Sequence, residues 1–290
     1  MSEGSLYKSV EGQRVVMAHY DRLLARWPAP YETVRVATRY GETFGIVKGE
    51  ASAPPLVLLH GANSNALAWG GDVAEFSRFF RTYALDVIGE PGRSAPARPP
   101  WAGPAYAEWL ADVLDGLNLS TTALLGISQG GWLALKFATQ RPERVTKLAL
   151  LAPGGIVMPR LSFLLRAIPL SFMGRWGAEA INRIVFGRQP IAAEVMVVMN
   201  EIMTHFKPRI EPPPLYTDAE LAALTMPILL LAGAEDALLP SEKVAARLSR
   251  LAPAVTARIL PQTGHVLHTL APEIVPFLTR KWDADDADET

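Results

Sequence analysis

A mostly parallel, doubly wound α/β sheet with an inserted helical cap is predicted by three features of the chain. Short, continuously apolar runs recur at residues 56–60, 83–86, 123–127, 148–151 and 228–231. Segments with helical spacing alternate with them, at residues 72–80, 106–117, 131–140 and 241–251. That alternation fails between Ala152 and Thr225, where Pro159, Pro169, Pro190 and the triplet Pro212, Pro213 and Pro214 punctuate stretches rich in Met, Phe, Leu and Trp.

The first element is a helix. Val15, Val16, Ala18, Leu23 and Leu24 recur with roughly helical spacing, and Pro28 with Pro30 ends the pattern. Residues 1–30 are therefore expected to be a helical extension packed on the body. Residues 33–37 and 43–48 are β-prone and flank Arg39-Tyr40-Gly41-Glu42, which predicts an antiparallel hairpin at the sheet edge. The five apolar runs lack the polar alternation of a half-exposed strand, so they predict parallel strands covered on both faces and joined by right-handed crossovers. A core over residues 31–153 and 226–282 follows. Residues 154–225 are expected to form the cap, three to five short helices over the carboxyl ends of the strands, where an open α/β sheet binds ligands. The acidic tail, residues 283–290, is expected to fray.

Composition narrows the function classes. The 290 residues are 49% hydrophobic and 20% charged, which suits one soluble domain with a sizeable core. With 28 basic against 29 acidic side chains there is no global field to attract nucleic acid or an anionic membrane surface, and a small neutral or apolar molecule is the expected partner. The absence of cysteine excludes disulfides, thiolate metal sites and cysteine nucleophiles. No apolar run follows a basic start in residues 1–10, so no secretory signal is read and a cytoplasmic location is expected. The richest apolar stretch, residues 161–173, is broken by Arg166 and Pro169, so no membrane span is expected. Neither a phosphate loop nor a close cluster of His and carboxylate residues is present, so no cofactor and no metal are expected. The sequence leaves a homodimer open.

Chemistry concentrates at strand ends. Gly126-Ile127-Ser128-Gln129-Gly130 follows an apolar strand and precedes a helical segment, the setting that a Gly-x-Ser-x-Gly turn requires. Such a turn strains the serine backbone and brings the chain close to itself, so the positions two before and two after must lack bulk. Alone, the pentapeptide also fits an ordinary glycine-rich turn with a capping serine. A serine hydroxyl is a weak nucleophile and needs a base, which needs a partner to hold its tautomer. Downstream, the strand at 228–232 runs into Gly233-Ala234-Glu235-Asp236, and Gly264-His265 follows the β-prone run 255–260. Asp236 is preferred to Glu235 as the acid, because a shift of one residue aims the side chain elsewhere. Of the five histidines, His19 is read as structural and His60 as a brace for its loop. His205 is read as structural or pocket-lining, and His268, placed one turn into the next helix, is the alternative base to His265.

Taken together, HGAN at 60–63, DVIGEPGRS at 86–94, GISQGG at 126–131, RPERVTKLALLAP at 141–153, LLLAGAEDALLP at 229–240 and TGH at 263–265 resemble the α/β-hydrolase superfamily. The resemblance is to its capped group, which includes esterases, carbon-carbon bond hydrolases, haloperoxidase-like enzymes, haloalkane dehalogenases and epoxide hydrolases. It spans about residues 31–280 and leaves the amino-terminal helix outside the shared core. It implies Ser128 as nucleophile, His265 as general base, Asp236 as the orienting acid, and the main-chain N–H groups of Ala62 and Gln129 as an oxyanion hole. It also implies a structural, hydrogen-bonding role for Asp86. Serine rather than aspartate at the nucleophile position argues against dehalogenases and epoxide hydrolases.

The implied reaction is hydrolysis of small to medium apolar carboxylic esters through an acyl-serine intermediate, with activity rising as the imidazole loses its proton. Substrate preference is expected to lie in Asn63, Trp69, Gln129 and Trp132 near the turn. In the cap, Phe163 and Phe172, with Leu161, Leu164, Leu165, Met173 and Trp176, either line an acyl pocket or pack the cap on the body. Three alternatives stay open: a vinylogous-diketone hydrolase gripping a carboxylate through Arg160, Arg166, Arg175 or Arg183; a haloperoxidase- or perhydrolase-like enzyme; and a non-catalytic ligand-binding module.

Overall fold

Period-two alternation inside each apolar run decides the architecture. Leu56 and Leu58 enter one core and Val57 and Leu59 the other; Leu125 parts from Leu124, and Leu229 and Leu231 part from Ile228 and Leu230, in the same way. Each strand therefore needs apolar cover on both sides. The computed structural model describes residues 5–189 and 191–282. The acidic tail and Pro190 lie outside them.

Eight strands form one sheet: β1 (Glu32–Thr38), β2 (Gly41–Lys48), β3 (Pro55–Leu59), β4 (Arg81–Leu85), β5 (Thr122–Ile127), β6 (Val145–Leu151), β7 (Ile228–Gly233) and β8 (Val255–Leu260). Their order is β1-β2-β4-β3-β5-β6-β7-β8. β2 is antiparallel to both β1 and β4, and every other pairing is parallel. From β3 the chain steps to β4 on one side and then to β5 on the other, so a topological switch point opens between the carboxyl ends of β3 and β5.

Helices α1 (Val10–Leu24), α2 (Val73–Phe76), α3 (Ala105–Gly116) and α4 (Gln129–Gln140) precede β6. α5 (Leu161–Ser171), α6 (Gly174–Phe186), α7 (Ala193–His205) and α8 (Asp218–Ala222) lie between β6 and β7, and α9 (Ser241–Leu251) and α10 (Ala271–Thr279) follow. Trp109 of α3, Phe137 of α4 and Leu248 of α9 cover one face of the sheet. Tyr20 of α1, Phe76 of α2 and Leu278 of α10 cover the other.

Two helices differ from expectation. α2 is one short turn rather than the whole of residues 72–80, because the chain reverses at once into β4. α10 begins three residues after His268, which therefore sits exposed in the preceding loop and not within the helix. The start is set from outside: the Asp72 carboxylate accepts the main-chain N–H groups of Thr269 (2.9 Å) and Ala271 (3.0 Å). The Ala271 N–H is one of the orphan donors of the first turn, and Pro272 lacks one by nature.

The amino-terminal segment spans two parts of the molecule. α1 buries Gly12, Val16, Tyr20 and Leu24, one position every four residues, and Ser9 caps it by accepting the Gly12 N–H. Tyr20 reaches the core and donates its hydroxyl to Asp86 (3.0 Å). Ahead of the helix, Tyr7 pairs with Phe206, the Lys8 N–H donates to the His205 carbonyl and the Lys207 N–H to the Leu6 carbonyl, each at 2.8 Å. Leu6, Tyr7, Val16, Ile202 and Phe206 close a small apolar cluster there. One segment thus fastens α7 to the loop after β4.

Candidate active site

Ser128 stands between β5 and α4 with φ +52° and ψ −112°, a conformation that costs a non-glycine residue about 1–3 kcal/mol. The turn is tight enough to exclude side chains on both flanks. A Cβ at Gly126 would lie 2.3 Å from the Gly130 carbonyl oxygen, and one at Gly130 would lie 2.0 Å from that of Leu59. The Ser128 N–H donates to Leu151 at the end of β6 (2.8 Å), and its carbonyl accepts from Gly154 (3.0 Å). The strain is therefore held by neighbouring strands that cannot easily move.

Asp236 and His265 arrive from β7 and from the loop after β8. They can do so because a Cβ at Gly233 would stand 2.2 Å from the carbonyl oxygens of Thr263 and Gly264, so only glycine lets the two loops meet. Asp236 is 3% exposed and uses both oxygens: Oδ1 accepts the N–H groups of Leu238 (2.7 Å) and Leu239 (2.8 Å), and Oδ2 faces His265 Nδ1 at 2.8 Å. A carboxylate that only accepts places the proton on Nδ1, which leaves Nε2 as an acceptor 2.9 Å from Ser128 Oγ. The His265 ring is 4% exposed, and its main-chain N–H donates to the Val185 carbonyl of α6 (3.0 Å). Glu235, the competing acid, turns outward toward Arg188 at 3.9 Å.

The loop after β3 lies against this turn, since a Cβ on Gly61 would be 3.6 Å from Ser128 Cβ. His60 is fully buried; its Nε2 accepts the Val87 N–H (2.9 Å), so Nδ1 donates to the Gly61 carbonyl (2.8 Å). Burial pushes its pKa down to about 4, so it braces the loop as a neutral ring. Ala62 is exposed, and Asn63 follows with φ +54°. Asp86 accepts from Ala66, Arg93 and Tyr20, anchoring the loop after β4.

Sequence reasoning missed Glu90. It is 7% exposed, accepts the Asn63 N–H through Oε2 (2.8 Å) and Gln129 Nε2 through Oε1 (2.9 Å), and burial pushes its pKa up to about 7. Unfolded chains would lose this proton near the ordinary value of 4.5, whereas the folded chain keeps it to about 7. The folded state's advantage is complete below 4.5 and fades as pH rises to 7, by roughly 3 kcal/mol. Glu90→Gln is therefore expected to flatten the pH dependence of stability across that window. Chemical denaturation at pH 4.5, 6 and 7 measures it, and parallel curves for the two proteins would refute it.

The suggested pocket residues divide. Trp69 is buried in the core with residues of α1 and α10. Trp132 is also fully buried: its helical phase turns it sideways, where it packs edge-on to Trp101 and Tyr106, donates Nε1–H to Pro214 (3.0 Å) and accepts the Tyr216 hydroxyl at its carbonyl (2.6 Å). Its part is to fasten the segment between α7 and α8. Phe163 is half-buried in the first turn of α5. Phe172, at the corner between α5 and α6, is 85% exposed and encloses nothing. His205 pairs with Glu201 (3.1 Å) and packs beside Gly12, away from the site.

The stretch between β6 and β7 touches both site loops. Arg160 Nε donates to the Asp236 carbonyl (3.2 Å), and its N–H donates to that of Leu238 (2.8 Å). Gln189, with its amide turned to match its neighbours, accepts the Gly264 N–H (2.8 Å) and donates to His268 Nε2 (3.1 Å). Among the described residues no cluster of three His, Asp or Glu side chains could hold a metal, and no helix is long and apolar enough to cross a membrane.

A strained serine on a strand-to-helix turn, at the switch point of a mostly parallel sheet, defines a class of proteins, and the sequence profile of the alpha/beta hydrolase family matches residues 56–275. The chain belongs to that family. It is 32% identical over 267 residues to carboxylesterase YbfK of Bacillus subtilis (strain 168), covering 88% of this chain and 89% of that protein. The crystal structure of that carboxylesterase, CesB (YbfK), superposes with a TM-score of 0.86 at 29% identity, over 93% of this chain and 99% of that one. The naproxen esterase (carboxylesterase NP) of Bacillus subtilis gives a TM-score of 0.85 at 27% identity, over 94% and 100%.

Proposed function

We propose that the protein hydrolyses carboxylic esters of small to medium apolar substrates through an acyl-serine intermediate. The observation that carries this reading is the continuous relay from Asp236 Oδ2 through the His265 ring to Ser128 Oγ, with links of 2.8 and 2.9 Å. Ser128 attacks the ester carbonyl while His265 Nε2 takes its proton, and Asp236 stabilises the imidazolium. The N–H groups of Ala62 and Gln129 receive the charge that forms on the carbonyl oxygen. Collapse expels the alcohol, protonated by His265, and water repeats the sequence on the acyl-serine.

Similarity to carboxylesterases over most of both chains supports the ester as substrate. The arginines weighed for a diketone acid are engaged or outward: Arg160 holds the Asp236 loop, Arg175 pairs with Glu179 (3.3 Å), and Arg166 and Arg183 are exposed. A fluorophosphonate probe is expected to label the wild-type chain at Ser128 and to leave Ser128→Ala unlabelled. A panel of aryl esters of increasing chain length, run beside a vinylogous diketone, tests the substrate class. Labelling elsewhere, or faster turnover of the diketone, would reject the proposal.

A further inference from the structure

We propose that Glu90 is a positioning residue for this reaction, its single carboxylate tying together the two loops that supply the oxyanion donors. The inference rests on the serine-hydrolase reading above and names a part that the relay itself does not contain.

The two carboxylate oxygens go to different loops. Oε2 holds the N–H of Asn63, the residue after Ala62, and Oε1 holds the side chain of Gln129, the residue after Ser128. The Ala62 N–H lies in the Gly61–Ala62 peptide plane, whose carbonyl His60 Nδ1 holds (2.8 Å), and Glu90 holds the next plane through the Asn63 N–H (2.8 Å), so Ala62 is clamped from both sides. Asn63 sits at φ +54°, a conformation that a non-glycine residue adopts more readily with such a partner. Opposite it, the Gln129 side chain is anchored at the first residue of α4, whose main-chain N–H is the second donor. Glu90 is itself held by a turn, its N–H on the Val87 carbonyl (3.1 Å) and its carbonyl on the Gly92 N–H (2.9 Å).

Two physical arguments separate positioning from other roles. Burying a carboxylate is costly unless its oxygens are hydrogen-bonded, and an apolar side chain would fill the space at less cost, so the acid is explained by the donors it fixes. A negative charge beside a developing oxyanion opposes it. The benefit must therefore come through donors set in place before the charge forms, not through the field. The charged neighbours Arg98 and Arg209 offset the carboxylate, and the Tyr106 hydroxyl, bonded to Arg209 (3.2 Å), completes the ionisable surroundings.

The test measures kcat and KM for p-nitrophenyl butyrate, and the inhibition constant of a trifluoromethyl ketone, whose serine adduct places an oxyanion in the same spot. In Glu90→Gln one donor loses its acceptor, and kcat is expected to fall about 10- to 100-fold with KM within about twofold. The ketone's inhibition constant should rise by the same factor. If Glu90→Gln gives no cooperative melt, Gln129→Ala carries the test, with kcat expected to fall about 3- to 10-fold at unchanged KM. Unchanged or raised kcat, or unchanged ketone inhibition, overturns the proposal. Ser128→Ala is assayed in parallel. Should it stay active, the nucleophile assignment fails and this inference with it; should it be inert while the Glu90 variant matches wild type, the inference alone fails.

Discussion

Ser128→Ala is expected to lower kcat on an activated ester by about 10⁴- to 10⁶-fold while leaving the thermal midpoint within a few degrees of wild type. The substitution removes one oxygen whose only described partner is His265 Nε2, so little folding energy depends on it. The effect on chemistry is large because no other described hydroxyl shares that relay. His265→Ala should lose a similar factor, and the double variant little more than either single change, since groups acting as a unit are not additive. Asp236→Asn should also be severe. The amide's single oxygen can keep the bonds to Leu238 and Leu239, which turns its NH2 donor toward His265 Nδ1 and imposes the wrong tautomer on the ring. Steady-state rates, with circular-dichroism melts as the folding control, decide the matter. A purified Ser128→Ala protein within tenfold of wild type would remove the assignment.

Gly130→Ala is expected to cost about 4 kcal/mol or more of stability. The added methyl would stand 2.0 Å from the Leu59 oxygen and 2.6 Å from that of His60, both backbone atoms. β3 lies between β4 and β5 and cannot retreat without breaking two parallel pairings. Gly126→Ala meets the same turn from the other side, at 2.3 Å from the Gly130 oxygen. Gly71 is the matched control, because a Cβ there meets nothing within 4 Å. Denaturant midpoints should drop steeply for the first two variants and barely for the third. A Gly130→Ala protein with a wild-type midpoint would show that the turn is looser than its geometry implies.

The sheet was legible because each covered strand advertises itself as an apolar run, and β3, β5, β6 and β7 are buried along nearly their whole length. The rim of the site was legible for a related reason. Gly126, Gly130, Gly233 and Gly264 mark close approaches of backbone, and such approaches leave a local trace in one dimension. Contacts set by distant partners leave none. The start of α10 depends on Asp72, 199 positions from Ala271 in the chain, so His268 was misplaced. Trp69 and Trp132 stand beside the right motifs, yet core packing buries them in two different clusters. Glu90, between Gly89 and Pro91, reads along the chain as a solvated turn acid until the fold roofs it with Asn63 and Gln129.

The bond from the His265 amide to the Val185 carbonyl makes α6 and the loop that carries the imidazole one mechanical unit. α6 cannot swing outward without releasing the backbone that aims the imidazole.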